Sequence, residues 1–155
     1  MRKTKAKKHP LSPDPRYGDP KVTRFVNSLM YDGKKSTAFK VFYEAMDKIE
    51  ASTGEKGYDV WQLAMQNVQP GVEVRSRRIG GATFQIPTQI REERKRFLTM
   101  KWIIMFARKR NGRSMGEKLS AELIAASKGE GAAVKRKEDT HRMAEANKAF
   151  SHFRF

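Results

Sequence analysis

The sequence predicts a mainly α protein: a six-helix bundle with one protruding basic β-hairpin between the third and fourth helices, and an N-terminal arm that is disordered when free. Three observations predict it. Apolar residues recur at helical spacing in six segments divided by Gly and Pro. One stretch, residues 72–87 (VEVRSRRIGGATFQIP), instead alternates on both sides of Gly80-Gly81, the signal for two antiparallel strands joined by a two-residue primed turn. Residues 1–17 combine clustered lysines with three prolines, which cannot make a packed element. At 155 residues this is one domain, with the arm at 1–17 and a single helical domain at 18–155 that includes the hairpin at 72–87.

Taken in order, the arm carries Arg2, Lys3, Lys5, Lys7 and Lys8 with no acid until Asp14. Asp19-Pro20 then starts a helix, a capping acid followed by Pro at the first helical position. Val22, Phe25, Val26, Leu29 and Met30 share its apolar face, and Asp32-Gly33 stops it, with Lys34 and Lys35 in the connection. The second helix buries Ala38, Val41, Phe42, Ala45, Met46 and Ile49 and ends near Gly54. Phe39 and Tyr43 flank that stripe as core residues rather than base-stacking platforms. Asp59 caps a short third helix with Leu63, Ala64 and Val68 inward, closed by Pro70-Gly71.

On the first hairpin strand, Glu73, Arg75, Arg77 and Ile79 share one face and Val72, Val74, Ser76 and Arg78 the other. An isolated hairpin is marginal in water, so this one leans on helices or on a ligand. Arg75, Arg77 and Arg78 leave little of its tip fit to bury, which points the finger toward phosphate. The fourth helix runs from about residue 89 to 110. Its middle is nearly all apolar (Leu98, Trp102, Ile103, Ile104, Met105, Phe106), which suits the centre of a bundle. Ser114 to Glu117 match a capping box for a fifth helix with Leu119, Leu123 and Ile124 inward. The last helix, about 132–150, has Val134, Met143 and Phe150 as its clearest apolar residues. Lys135, Arg136, Lys137, Arg142 and Lys148 are too many for a helix that faces only the core, so one side covers the bundle and the other faces a partner.

Lys plus Arg is 33 and Asp plus Glu 17, giving a formal net charge of +16. Solubility needs only roughly 2–8 for a small domain. Self-repulsion on that scale disfavours the free fold and makes a polyanion the natural partner. The longest apolar block, WIIMFA at 102–107, is far short of the ~20 residues that span a bilayer, so no membrane partner is expected. There is no cysteine, which removes disulfides, thiol nucleophiles and cysteine zinc sites.

No phosphate-cradling loop, nucleophile elbow or dinucleotide fingerprint is present, and no enzyme is expected. His141 with Glu138 and Glu145 has the spacing of a metal cluster, but ion pairs on a polar helix face are the commoner use of such residues, so neither metal nor cofactor is assigned. The cations are spread over the arm, Lys34-Lys35, the hairpin, both ends of the fourth helix, and the last helix. That pattern suits an irregular RNA held by phosphate contacts better than a DNA helix read by one recognition helix. A DNA-architectural protein is the competing reading, since composition alone does not separate the two.

Three stretches go further: PDPRYGDPKVTRFVNSLMYDGKKSTA at 13–38, NVQPGVEVRSRRIGGATFQIP at 67–87 and KRKEDTHRMAEANKAFSHFRF at 135–155. With them, nearly the whole chain resembles the bacterial-type small ribosomal subunit protein seven family. The departures are Gly71 after Pro70 and an end at Phe155 without a longer tail; residues 52–58 carry no signature. The resemblance implies a six-helix bundle with a protruding hairpin in a cytoplasmic ribosomal protein, not a homo-oligomer. It implies primary binding to the 3′ major domain of small-subunit ribosomal RNA (rRNA) and nucleation of head assembly. It also implies a place beside the exit-site tRNA and the mRNA exit channel, approached by the hairpin tip Arg77, Arg78, Ile79, Gly80, Gly81 and Ala82. The rRNA contacts it implies are Arg2, Lys3, Lys5, Lys7, Lys8, Lys34, Lys35, Arg75, Arg77, Arg78, Arg94, Lys95, Arg136 and Arg142. The ninth and eleventh small-subunit proteins are the implied protein neighbours.

Overall fold

Asp19 opens the first helix, α1 (Pro20–Leu29), by accepting a 2.8 Å hydrogen bond from Lys21 N–H, with Pro20 at the first helical position. The computed structural model describes residues 10–153, so the arm cations Arg2, Lys3, Lys5, Lys7 and Lys8 lie outside the described residues. After α1 come α2 (Lys35–Thr53), α3 (Gly57–Val68), the hairpin strands β1 (Val72–Ile79) and β2 (Ala82–Gln89), α4 (Glu92–Lys109), α5 (Met115–Ser127) and α6 (Ala132–Ala146), then a 3-10 turn at Lys148–Phe153. Six helices and one antiparallel hairpin are the architecture that the periodicity predicts.

The core is built around Phe25, Phe42 and Trp61, whose rings meet at centroid distances of 5.6–5.9 Å in tilted or edge-on geometry. Val22, Val26, Met46, Ile49, Val68, Ile103, Leu119 and Leu123 complete it, all fully buried. Each such side chain contributes roughly 1.5–3 kcal/mol by leaving water. Phe39 and Tyr43 are half-buried against this cluster, as their flanking positions predict.

Several expectations need correction. Trp61, not Leu63, takes the inward place on α3, and Leu63 is exposed. Asp59 is not the cap of α3: the helix starts two residues earlier, where Gly57 lets it approach α2 so closely that a Cβ would sit 2.5 Å from the Met46 carbonyl oxygen. β2 runs to Gln89, so α4 begins at Glu92 rather than near residue 89, and Ile90 between them is buried. The central place expected for α4 is shared with α5: α4 touches α1, α3, α5 and α6, and α5 touches α2, α3, α4 and α6. The small residues Gly116, Ser120 and Ala126 of α5 admit close neighbours, whereas α4 keeps Arg94, Arg96, Phe97 and Lys101 in water. On α6 the inward residues are Ala133, Val134, Thr140 and Ala144, leaving Met143 exposed. That helix ends at Ala146, and Phe150 packs from the 3-10 turn onto Phe84 of the hairpin at 5.2 Å.

The arm expected through residue 17 is fastened to the body from Asp14 onward. The Asp14 carboxylate is buried and accepts from Arg16 N–H, Tyr17 N–H and the Tyr43 hydroxyl. Burial and that carboxylate push the Tyr43 phenol up to about 12. Tyr17 stacks on Tyr58 at 4.9 Å. The prolines at 13 and 15 read as loop, and no periodicity marks a single buried acid between them.

Candidate nucleic-acid interface

Alternating residues make the hairpin and a Gly-Gly pair turns it. Gly80 (φ 57°) and Gly81 (φ 90°) both occupy the left-handed region a primed turn demands. The register pairs Arg75 with Ile86, Arg77 with Phe84 and Arg78 with Thr83. Side chains directly opposite share a face, so Arg75 and Arg77 leave from the side that holds Glu73, Phe84 and Ile86, and Arg78 from the other. At the base Glu73 and Ile86 are buried; toward the tip Arg77, Arg78, Gly80, Gly81 and Ala82 are exposed and Ile79 is half-buried.

Three contacts clasp the base of this finger. Glu73 accepts from Arg75 at 2.5 Å and from Arg94 of α4 at 2.8 Å. Burial opposes ionisation of Glu73, but hydrogen bonds from Arg94 and Arg75 outweigh it and hold the carboxyl below its ordinary range. Lys137 of α6 donates to the Asn67 carbonyl at 2.7 Å, just before the first strand. Gly71 N–H donates to His141 Nε2 at 3.0 Å, which gives that histidine a structural use.

The last contact is pH-sensitive. His141 must be neutral to accept from Gly71, and burial, then the charge of Lys137, lowers its pKa from 6.5. A histidine whose folded pKa is depressed contributes in full above the unfolded value and loses that contribution as pH falls through the folded one. His141→Leu is therefore expected to flatten the thermal-midpoint profile on its acid side, as pH falls below 6.5, and to leave its shape above that unchanged. A profile parallel to that of the unsubstituted chain would show that Gly71 does not depend on it.

The structure sorts the expected contact residues into two groups. Lys34, Lys35, Arg77, Arg78, Arg136 and Arg142 are exposed on the α1–α2 connection, the finger and the outer side of α6. Arg75 and Arg94 brace Glu73, and Lys95 is bound to Glu92 at 2.6 Å. The Lys95–Glu92 pair is open to water and contributes about 0–1 kcal/mol, so exchanging its carboxylate for a phosphate costs little. Glu73 is buried, so drawing Arg75 and Arg94 away from it would leave an uncompensated carboxylate and costs more. Tyr31, Phe97 and Lys101 escaped the sequence reading. Only the outward helical phase of Phe97 and Lys101 against the apolar stripe could have marked those two, and Phe97 lies one residue from buried Leu98. Tyr31 sits in the connection after α1, where no phase applies.

A groove of about 830 Å³ lies between α1, α3 and α4, rimmed by Lys21, Arg24 and Arg96 over Met65 and Met100; its one carboxylate, Glu92, is the partner of Lys95. Among the described residues no group of three or more His, Asp or Glu side chains is placed to hold a metal ion. No described helix is long and apolar enough to cross a membrane.

A helical body, a finger clasped at its base, and cations exposed on the α1–α2 connection, the finger and α6 are the features of a structural protein suited to a polyanion. Comparison with known proteins makes the class specific. A family model for ribosomal protein S7p/S5e matches residues 1–148. Among curated relatives, the small ribosomal subunit protein uS7 of Flavobacterium psychrophilum is 64% identical, that of Cytophaga hutchinsonii 62% and that of Bacteroides fragilis 54%, each over the full length of both chains. The chain belongs to the ribosomal protein S7p/S5e family, whose members are structural components of the ribosome rather than catalysts.

Proposed function

We propose that this protein is a primary rRNA-binding protein of the small ribosomal subunit in the cytoplasm. In this reading it binds the 3′ major domain and nucleates assembly of the head. The observation that carries this is the distribution of charge: Lys34-Lys35, the finger and α6 all expose cations. The positive surface is thus spread over several elements, as contact with an irregular folded RNA requires, and is not confined to one recognition helix. The expected neighbours are the ninth and eleventh small-subunit proteins, and the finger tip lies beside the exit-site tRNA and the mRNA exit channel. Chemical footprinting on naked small-subunit rRNA tests this. Protections confined to the 3′ major domain are the expected result, and protections scattered over other domains would refute it.

The tip has its own test. Both Arg77 and Arg78 are exposed, so replacing them together by Ala is expected to change stability by no more than about 1 kcal/mol, since exposed sites stay within roughly 0.5 each. Exit-site tRNA retention by assembled subunits should fall markedly. A large stability loss would show that the arginines hold the fold.

A further inference from the structure

We propose that the outward face of α4, together with Tyr31, is a stacking platform for two separate unpaired bases of the bound RNA. This rests on the RNA-binding reading and adds a way of holding bases to one built on phosphates. Arg94, Phe97, Lys101, Met105 and Arg108 fall within about 80° of one another at 100° per residue, so they form one stripe along the helix. Phe97 and Arg108 are three turns apart, about 16 Å along the axis.

Each end of the stripe carries an aromatic ring set against a cation. At one end the Arg108 guanidinium lies 4.0 Å from the centroid of Tyr31 and also donates to the Leu29 carbonyl at 3.1 Å, so two contacts fix it. Tyr31 is held in turn by a tight connection: its carbonyl accepts from Lys34 N–H at 2.9 Å, with Asp32 and Gly33 both at positive φ. At the other end the Lys101 ammonium lies 5.8 Å from the Phe97 ring. Tyr31 is 64% exposed and Phe97 49%, whereas the other Phe, Tyr and Trp rings whose burial is described are buried or half-buried. A cation over one face leaves the rest of such a ring to water, at an energetic loss that a stacked base would recover.

The occupant follows from charge. Arg108 lies over Tyr31 and Lys101 beside Phe97, and Lys34 and Lys35 follow Tyr31 in the chain. The nearest acids in the chain are Asp32, 4.0 Å from Lys34, and Glu93, one turn before Phe97. Rings alternating with cations match the alternation of bases and phosphates in single-stranded nucleic acid, where each stacked base is sequence-tolerant and each phosphate binds a cation. Arg108, which holds Tyr31, and Phe97 stand about 16 Å apart along α4, so the two rings engage different nucleotides.

The test uses the full chain and a naked 3′ major-domain rRNA fragment, with affinity measured across a salt series. Tyr31→Ala and Phe97→Ala are each expected to weaken binding about 5- to 150-fold, the range for losing one stacked base. The slope of log affinity against log salt should stay unchanged, because no phosphate contact is removed. Tyr31→Phe, which keeps the ring, should recover what Tyr31→Ala loses. Thermal midpoints should move by no more than a few degrees, since both side chains are exposed. Unaltered binding by the double Ala variant overturns the platform, and so does a loss accompanied by a lower salt slope. Normal binding to naked RNA with failure to enter assembled subunits would assign the face to a protein neighbour and also overturn it. If the unsubstituted chain ignores the fragment, the RNA-binding reading itself fails; if it binds and the variants match it, only the platform does.

Discussion

Removing residues 1–9 is expected to flatten the salt dependence of rRNA binding more than any other single change. The segment holds five cations, Arg2, Lys3, Lys5, Lys7 and Lys8, and no acid. Each phosphate neutralised contributes about 0.7–0.9 to the slope of log affinity against log salt. Engagement of all five would lower that slope by roughly 3.5–4.5, and engagement of one by at least ~0.7. Because the effect arises from counterion release, it should be greatest at low salt and shrink as salt rises. The folded body is expected to keep its stability, since the hydrogen bonds of Asp14 that fasten the chain to α2 remain. An unchanged slope would show that the arm makes no phosphate contact.

The largest loss of stability is expected from Glu122→Ala. Glu122 is 1% exposed and joins three elements: it sits on α5, pairs with Arg110 after α4 at 2.5 Å, and accepts from Ala133 N–H at the start of α6 at 3.0 Å. Truncation leaves a half-buried guanidinium unpaired and strands a helix N-terminal donor. Breaking a buried pair from one side costs about 3–5 kcal/mol. For a domain of this size that lowers the melting midpoint by roughly 6–20 °C, at 2–4 °C per kcal/mol. Glu145→Ala, which removes an exposed partner of Lys148, should cost less than ~1 kcal/mol. Equal effects from the two substitutions would mean that burial does not decide the strength of these pairs.

How much of this was legible in the sequence depends on the range of the interaction. Asp19-Pro20, the capping box and Gly80-Gly81 act within a few residues, and each produces the element it predicts. The box is even shifted by one residue: Ser114 accepts from Glu117 N–H, while Glu117 accepts from Arg113 N–H rather than from Ser114. Trp61 against Leu63 was not legible, because both lie near the apolar edge of α3 and only the neighbouring helices choose between them. Nor was it legible that α5 shares the centre with α4, since an apolar run marks burial strongly whereas small residues mark close approach weakly. For the surface, the Arg and Lys runs told where charge collects. They could not show that Arg75 and Arg94 share Glu73, a partner 21 residues from Arg94. His141 shows the same limit: its spacing from Glu138 and Glu145 is local and visible, while its hydrogen bond to Gly71 spans 70 residues.

The most direct measurement is a competition at equal nucleotide concentration between a naked 3′ major-domain rRNA fragment and unrelated duplex DNA for the full chain. Exposed cations spread over the α1–α2 connection, the finger and α6 fit a folded RNA better than a straight duplex read by one helix, so the RNA should remain bound while the DNA is in equal supply. Displacement of the RNA by the duplex would contradict the central claim that this surface is shaped for folded RNA.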